Sequence, residues 1–258
     1  MTTEQTMLSH AGLGRILRSA ACGLLLLSLA ACQTGPKEIP LVQPAVSVAP
    51  YDTARGDVLW AVVPPRNESG TLTVDPLRVG DKLVAAVQEV RGLRCVPLNR
   101  TMEAMRALEM TSVATPAQIR HLAETLGVDG IIVGSITAYD PYDPPVLGLS
   151  LALHARGDAM STPAPRVAST RDLVAQPSEF VLPNSSYDGA PTSVISEHLD
   201  ARNHEVLVAV QHYAYGRDDP RLSLGWRRYT ASMDLFTQFG AARAVDRLLE
   251  SESARLSP

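Results

Sequence analysis

Val58-Leu59-Trp60-Ala61-Val62-Val63 is a short, continuous apolar run, and it reads as a strand buried on both faces of a sheet. The loop Pro64-Pro65-Arg66-Asn67-Glu68-Ser69-Gly70 stops it. Asp75-Pro76 then supplies an N-cap and a first-turn proline, and Leu83, Val84, Val87 and Val90 follow at helical spacing until Gly92. A second strand fits 93–98, with a short helix carrying Met102, Met105 and Leu108 behind it. Thr115-Pro116-Ala117-Gln118 has the capping-box spacing, and Ile119, Leu122 and Leu126 mark one apolar face before Gly127.

Further along, Ile131-Ile132-Val133-Gly134-Ser135-Ile136 begins a third strand. Beyond the turn Asp140-Pro141-Tyr142-Asp143-Pro144-Pro145 comes strict alternation: Leu147, Leu149, Leu151 and Leu153 point one way, Gly148, Ser150, Ala152 and His154 the other. This predicts an antiparallel hairpin covered on one face. Residues 157–190 are rich in Pro, Ser, Thr and Asn and read as a loop insertion, with only 166–173 and 179–182 able to form strand. A helix is expected over 201–215, with Val206, Val210 and Tyr213 on one face and Gly216 as its stop. A final amphipathic helix is expected over 223–250, leaving 251–258 as a tail.

The expected fold is therefore α/β (α+β): a two-layer sandwich, a mixed sheet with helices packed on it plus a C-terminal amphipathic helix, as a single domain over 58–250. Ile131, Val133, Leu149 and Leu151 should share one core with Val62, Val87 and Leu122. Trp226, Tyr229, Met233 and Phe236 form a stripe that either covers the sheet or joins subunits, since aromatic and Met side chains suit both settings.

The first part of the 258-residue chain reads differently. Arg15 and Arg18 precede an uncharged run over 19–31 centred on Leu24-Leu25-Leu26-Leu27, shorter than the roughly 20 apolar residues of a membrane-spanning helix. Residues 1–31 are expected to be a signal peptide. Its end, Leu29-Ala30-Ala31-Cys32, resembles the lipobox of bacterial lipoproteins, which implies lipidation of Cys32 and cleavage before it. Gln33 in place of Asp implies sorting to the outer membrane, facing the periplasm. Residues 32–57, with Pro36, Pro40, Pro44 and Pro50, then form a tether. Three cysteines, Cys22, Cys32 and Cys95, are too few for a disulfide framework, and Cys95 beside Val96 reads as an inert buried thiol.

The order Val58 to Pro64, Asn67-Glu68-Ser69-Gly70, a helix, Leu126-Gly127-Val128-Asp129-Gly130 and the strand through Tyr139 resembles the fold of several envelope lipoproteins. These are the curli secretion lipoprotein, the Pel polysaccharide lipoprotein, the lipoprotein activator of penicillin-binding protein and the N-terminal domain of the Tol translocation protein. The resemblance covers roughly 58–155. It implies a non-catalytic protein that scaffolds or regulates an envelope complex, in secretion, polysaccharide export or cell-wall synthesis, with an envelope protein partner and with a homo-oligomer left open. One member forms a pore from extra strands. Such a strand needs about 9 to 11 alternating residues, and only 146–155 comes close, its partner across the turn reading as short.

Composition excludes nucleic acid as a partner: Lys and Arg number 23 against 27 Asp and Glu, with no basic run. Catalytic and metal motifs do not assemble either. His204-Glu205 begins like a zinc-protease motif, but Val208 stands where the second histidine belongs. Gly12 and Gly14 lack a third glycine, and His121, His154, His198 and His212 are scattered. The reading is no enzyme, no cofactor and no metal. The surface candidate is the loop with Tyr139, Asp140, Tyr142 and Asp143, whose prolines hold polar groups at small entropic cost for a cation or a partner's backbone. The simpler alternative is a stiff hairpin turn. A competing function is a periplasmic hydrolase or small-ligand-binding lipoprotein with its site in 157–190. A deep pocket lined by Asp, His or Glu would favour that reading, and exposed apolar side chains on a shallow surface would favour a scaffold.

Overall fold

The structure is a computed structural model and describes residues 42–52, 56–156, 160, 190–219 and 221–257. Residues 1–31, expected to be a signal peptide, Cys32 and nearly all of the stretch 157–190, expected to be an insertion, lie outside the described residues.

The elements in chain order are β1 Val58–Val62, β2 Arg66–Asn67, α1 Pro76–Gln88, β3 Leu93–Cys95, α2 Leu98–Ala107, α3 Pro116–Leu126, β4 Gly130–Asp140, β5 Val146–Ala155, β6 Ser193–Asp200, α4 His204–Ala214, a 3₁₀ turn Gly225–Arg227, α5 Arg228–Ala231 and α6 Met233–Leu256. The strands form one mixed sheet in the order β3-β1-β4-β5-β6, with β2 beside β4. This is the expected mixed sheet with helices packed on it.

β1 is apolar throughout because it lies between parallel neighbours. Trp60 pairs with Cys95 on one side and Gly130 on the other. A Cβ on Gly130 would come within 2.8 Å of the Trp60 indole, so this position needs a glycine. β4 then pairs antiparallel with β5, and β5 with β6. The helix starts follow their caps: Asp75 accepts from the Leu77 N–H at 2.9 Å, and Thr115 and Gln118 form the capping box.

Adjacent strand residues point to opposite faces, so the single expected core divides in two. Val62, Val87, Leu149 and Leu151 belong to one cluster with α1, α4 and α6; Ile131 and Leu122 belong to a second, with Val133 packed at its edge. Ile132 and Ile131 thus serve different cores. The two-layer description holds for the antiparallel half. Over β1 and the start of β4, α3 and the C-terminal end of α2 add a further layer on the other face.

Three further expectations are corrected, and one element is added. β4 runs for 11 residues, so the partner of β5 is not short, but the leucine face of this hairpin is covered by helices. Residues 193–200, unassigned in the sequence, form β6. The C-terminal helix is interrupted at extended Ser232, so Trp226 and Tyr229 precede the long helix, and that helix continues through 251–256. The tether also ends earlier than 57. The Ser47 carbonyl accepts from Arg91 N–H, the Ala49 N–H donates to the Arg91 carbonyl, and Tyr51 is buried. Tyr51 donates its hydroxyl to Glu252 at 3.0 Å, and Glu252 also accepts from Ser193 and from Arg255.

Leu151 is 1% exposed and packs over Gly134, where an added Cβ would lie 2.6 Å from Leu151 Cδ2. Leu151→Ala should cost about 2–5 kcal/mol, read as a lower midpoint in thermal unfolding. An unchanged midpoint would mean that the alternating face of β5 is not core.

Candidate functional site

The candidate loop closes the β4–β5 hairpin. A bulge between Ile136 and Ala138 shifts the register, so that Tyr139 pairs with Leu147 and takes the leucine face instead of the opposite one. Tyr139 therefore packs against the first core, near Asp75 and Arg78 at the start of α1 and Asp234 at the start of α6, and burial pushes its phenol up. Asp140 accepts the Tyr142 N–H at 3.2 Å, which makes it the brace of the turn. Tyr142 and Asp143 project into solvent, Tyr142 with 78% of its surface exposed. The four predicted residues do not converge: Tyr139 and Asp140 hold the hairpin, while Tyr142 and Asp143 are presented by it.

Sequence reasoning missed Leu72. It is 98% exposed, at the same end of the sheet, in the loop between β2 and α1. Polar groups hold that loop in shape: Asn67 accepts from the Ser69 N–H at 3.1 Å and its hydroxyl at 2.7 Å, and donates to the Thr71 carbonyl at 2.6 Å. An apolar residue between Thr71 and Thr73, in a stretch with no helical or strand period, was the available signal. Leu77, in the first turn of α1, adds a third exposed apolar side chain at 41%.

Among the described residues, two clefts are of note. One, of about 570 Å³, lies beyond the end of β1 among Pro64, Pro65, Leu77, Met102, Met105 and Met110, with Arg66 and Arg106 in its lining. The other, of about 650 Å³, lies between residues 44–47, α1, α4 and α6. Its acids are engaged. Glu89 pairs with Arg217 at 2.9 Å, and Asp246 accepts from the Ser47 hydroxyl at 2.6 Å while burial pushes its carboxyl up. Arg217 also stacks over Tyr213 at 4.3 Å, and burial pushes the Tyr213 phenol up to about 12. This cleft is the seat of the N-terminal segment.

Among the described residues no three His, Cys, Asp or Glu side chains are placed to share a metal ion. His204 is exposed in the first turn of α4, and His154 is buried on β5, where desolvation pushes its imidazole down. Cys95 is buried and its thiol is pushed up to about 12 by desolvation, so it is a poor nucleophile. No described helix is long and apolar enough to cross a membrane.

No protein-family model and no curated protein matches the chain. Solved structures do. Lipoprotein GNA1162 from Neisseria meningitidis is 16% identical, with 55% of this chain and 80% of that chain covered, at a TM-score of 0.34. The LpoB C-terminal domain from Salmonella enterica is 10% identical, covering 61% and 87%, at 0.37. The PelC dodecamer from Paraburkholderia phytofirmans is 16% identical, covering 46% and 69%, at 0.26. These neighbours are lipoproteins, matched at low identity and over part of the chain. The fold class itself stands on the strand order and register given above.

Proposed function

We propose that this chain is a non-catalytic lipoprotein of the bacterial outer membrane, facing the periplasm, which docks an envelope protein partner and so scaffolds or regulates assembly of an envelope complex. Acyl chains on Cys32 would hold it firmly, since each buried CH₂ contributes about 0.8 kcal/mol and two or three chains act together. The observation that carries the docking role is the set of apolar side chains at one end of the sheet, Leu72 and Tyr142 above all, held in water by braced loops. Large apolar side chains gathered at one end of a domain and exposed to water are what a docking surface presents to its partner.

Cys32→Ala should leave the chain uncleaved or soluble in the periplasm; processing after Ala31 with lipid still attached would refute the anchor. For docking, a photocrosslinker at position 142 or 72 in intact cells should give one discrete adduct, and a crosslinker at exposed position 205 on α4 should not. Leu72→Asp should abolish the adduct formed from position 142. Equal adducts from all three positions would refute the docking end.

A further inference from the structure

We propose that the cleft beyond β1 is a binding site for a small amphiphile with an apolar chain and one anionic head, the chain lying against Met102, Met105 and Met110 and the head on Arg106. The proposal does not rest on the docking role, although Leu77 borders both surfaces.

The topology places a crevice there. β1 leads into α1 on one face of the sheet, while its neighbour β3 leads into α2, whose far end packs on the other face. Where adjacent parallel strands send their connections to opposite faces, the space outside their carboxyl ends opens, and ligands of α/β sheets bind in that space. The cleft of about 570 Å³ is of the size and mostly apolar lining that small-ligand sites have.

The lining gives the ligand's chemistry. Three methionines supply a polarisable, adaptable wall, and the prolines at 64 and 65 fix the opposite lip. Among the described residues the charged members of the lining are Arg66 and Arg106, with no carboxylate beside them. Arg66 is paired with Glu68 at 3.1 Å, whereas Arg106 is exposed and has no carboxylate at ion-pair distance among the described residues. A planar guanidinium at the mouth of an apolar cleft suits a carboxylate or phosphate head, which it can hold with two parallel hydrogen bonds. A cationic or uncharged amphiphile would lose that contact.

The test uses the full chain carrying Cys32→Ala, free of detergent, with decanoate as the probe and decyltrimethylammonium as the control of equal chain length and opposite charge. Decanoate should bind saturably and shift the methyl resonances of Met102, Met105 and Met110, leaving Met160 and Met233 in place. Arg106→Gln should weaken decanoate by about tenfold or more, as expected for loss of a charged hydrogen bond. Leu77→Glu puts a like charge at the lip, at a helix start that tolerates acids, and should weaken it too. Decyltrimethylammonium binding as tightly as decanoate, shifts at Met160 or Met233 instead, or an affinity unchanged in Arg106→Gln would overturn the proposal. So would failure of decanoate alongside binding of an acidic peptide with an apolar anchor, which would make the cleft a protein-docking groove. Loss of the position-142 adduct with decanoate binding intact would refute the docking role alone.

Discussion

Glu252→Ala should destabilise the domain by about 3–5 kcal/mol in urea unfolding, the cost of breaking a buried ion pair from one side. Glu252 is fully buried near the end of α6 and collects three donors, two from distant parts of the chain, Tyr51 from the N-terminal segment and Ser193 from the start of β6, and one from its own helix, Arg255 one turn on. Removing the carboxylate deprives the Tyr51 phenol and the Ser193 hydroxyl of this acceptor and leaves the Arg255 guanidinium only the Met160 carbonyl, and residues 47–52 lose one tie to the domain while those through Arg91 and Asp246 remain. A loss under about 1 kcal/mol would show that these groups find water or other partners, as surface pairs do.

The same carboxylate gives a pH dependence of definite sign. Burial alone would raise its pKa, but the hydrogen bonds from Arg255, Ser193 and Tyr51 outweigh burial and hold it below the ordinary value of 4.5. A group whose folded pKa is depressed contributes stability above its unfolded pKa and loses it as pH falls through the folded value. The stability gap between wild type and Glu252→Gln should therefore be full at neutral pH and shrink once pH drops below about 4.5. Asp246 acts in the opposite sense, because burial raises its pKa, so its ionisation opposes folding as pH rises. Comparing two proteins that both retain Asp246 cancels that contribution. A gap that stays constant from neutral pH to pH values well below 4.5 would contradict the assignment.

What could be read in the sequence was what the chain encodes locally. The Asp75 cap, the Thr115 to Gln118 box and the left-handed Gly127 each act within a few residues of themselves, and the helices start and stop where they say. β6 was hidden because its inward positions include Ser193 and Glu197, which look like solvent-facing residues. Their partners, Glu252 for Ser193 and Arg243 and Arg247 for Glu197, lie on α6, some fifty residues further along. Tyr51 was hidden for the same reason, with its acceptor 201 residues away. The break at Ser232 carries no proline or glycine to announce it; only the packing of α5 and α6 shows that Trp226 and Phe236 do not share one helix. At the candidate site the turn brace Asp140 was legible as turn chemistry. The inward turn of Tyr139 was not, since it depends on a bulge opposite β5. The cleft methionines likewise have helical spacing in part and read as core until β1 and α2 are assembled around an opening.

Phe236→Ala should lower stability by about 3–5 kcal/mol and do so independently of protein concentration, because truncating a buried Phe removes both transfer energy and packing. Phe236 is fully buried in the first core and starts a run of aromatic contacts: Phe236 to Phe239 at 5.8 Å, Phe239 to Tyr213 at 5.7 Å, and Tyr213 to Tyr229 at 5.4 Å. That run joins α6 to α4 and α5, so the stripe seen in the sequence covers the domain's own interior at this point. A subunit interface would need Phe236 to be open to solvent in the single chain. Trp226 differs: it is only partly buried, precedes α5, and carries the Arg227 guanidinium 4.9 Å from its ring centre. Its truncation should therefore cost the isolated chain much less than Phe236→Ala does. The measurement is thermal unfolding of both variants at two concentrations a hundredfold apart, with sedimentation to follow assembly. Unchanged melting of Phe236→Ala together with dissociation of an oligomer would overturn the core assignment and make α6 a subunit contact.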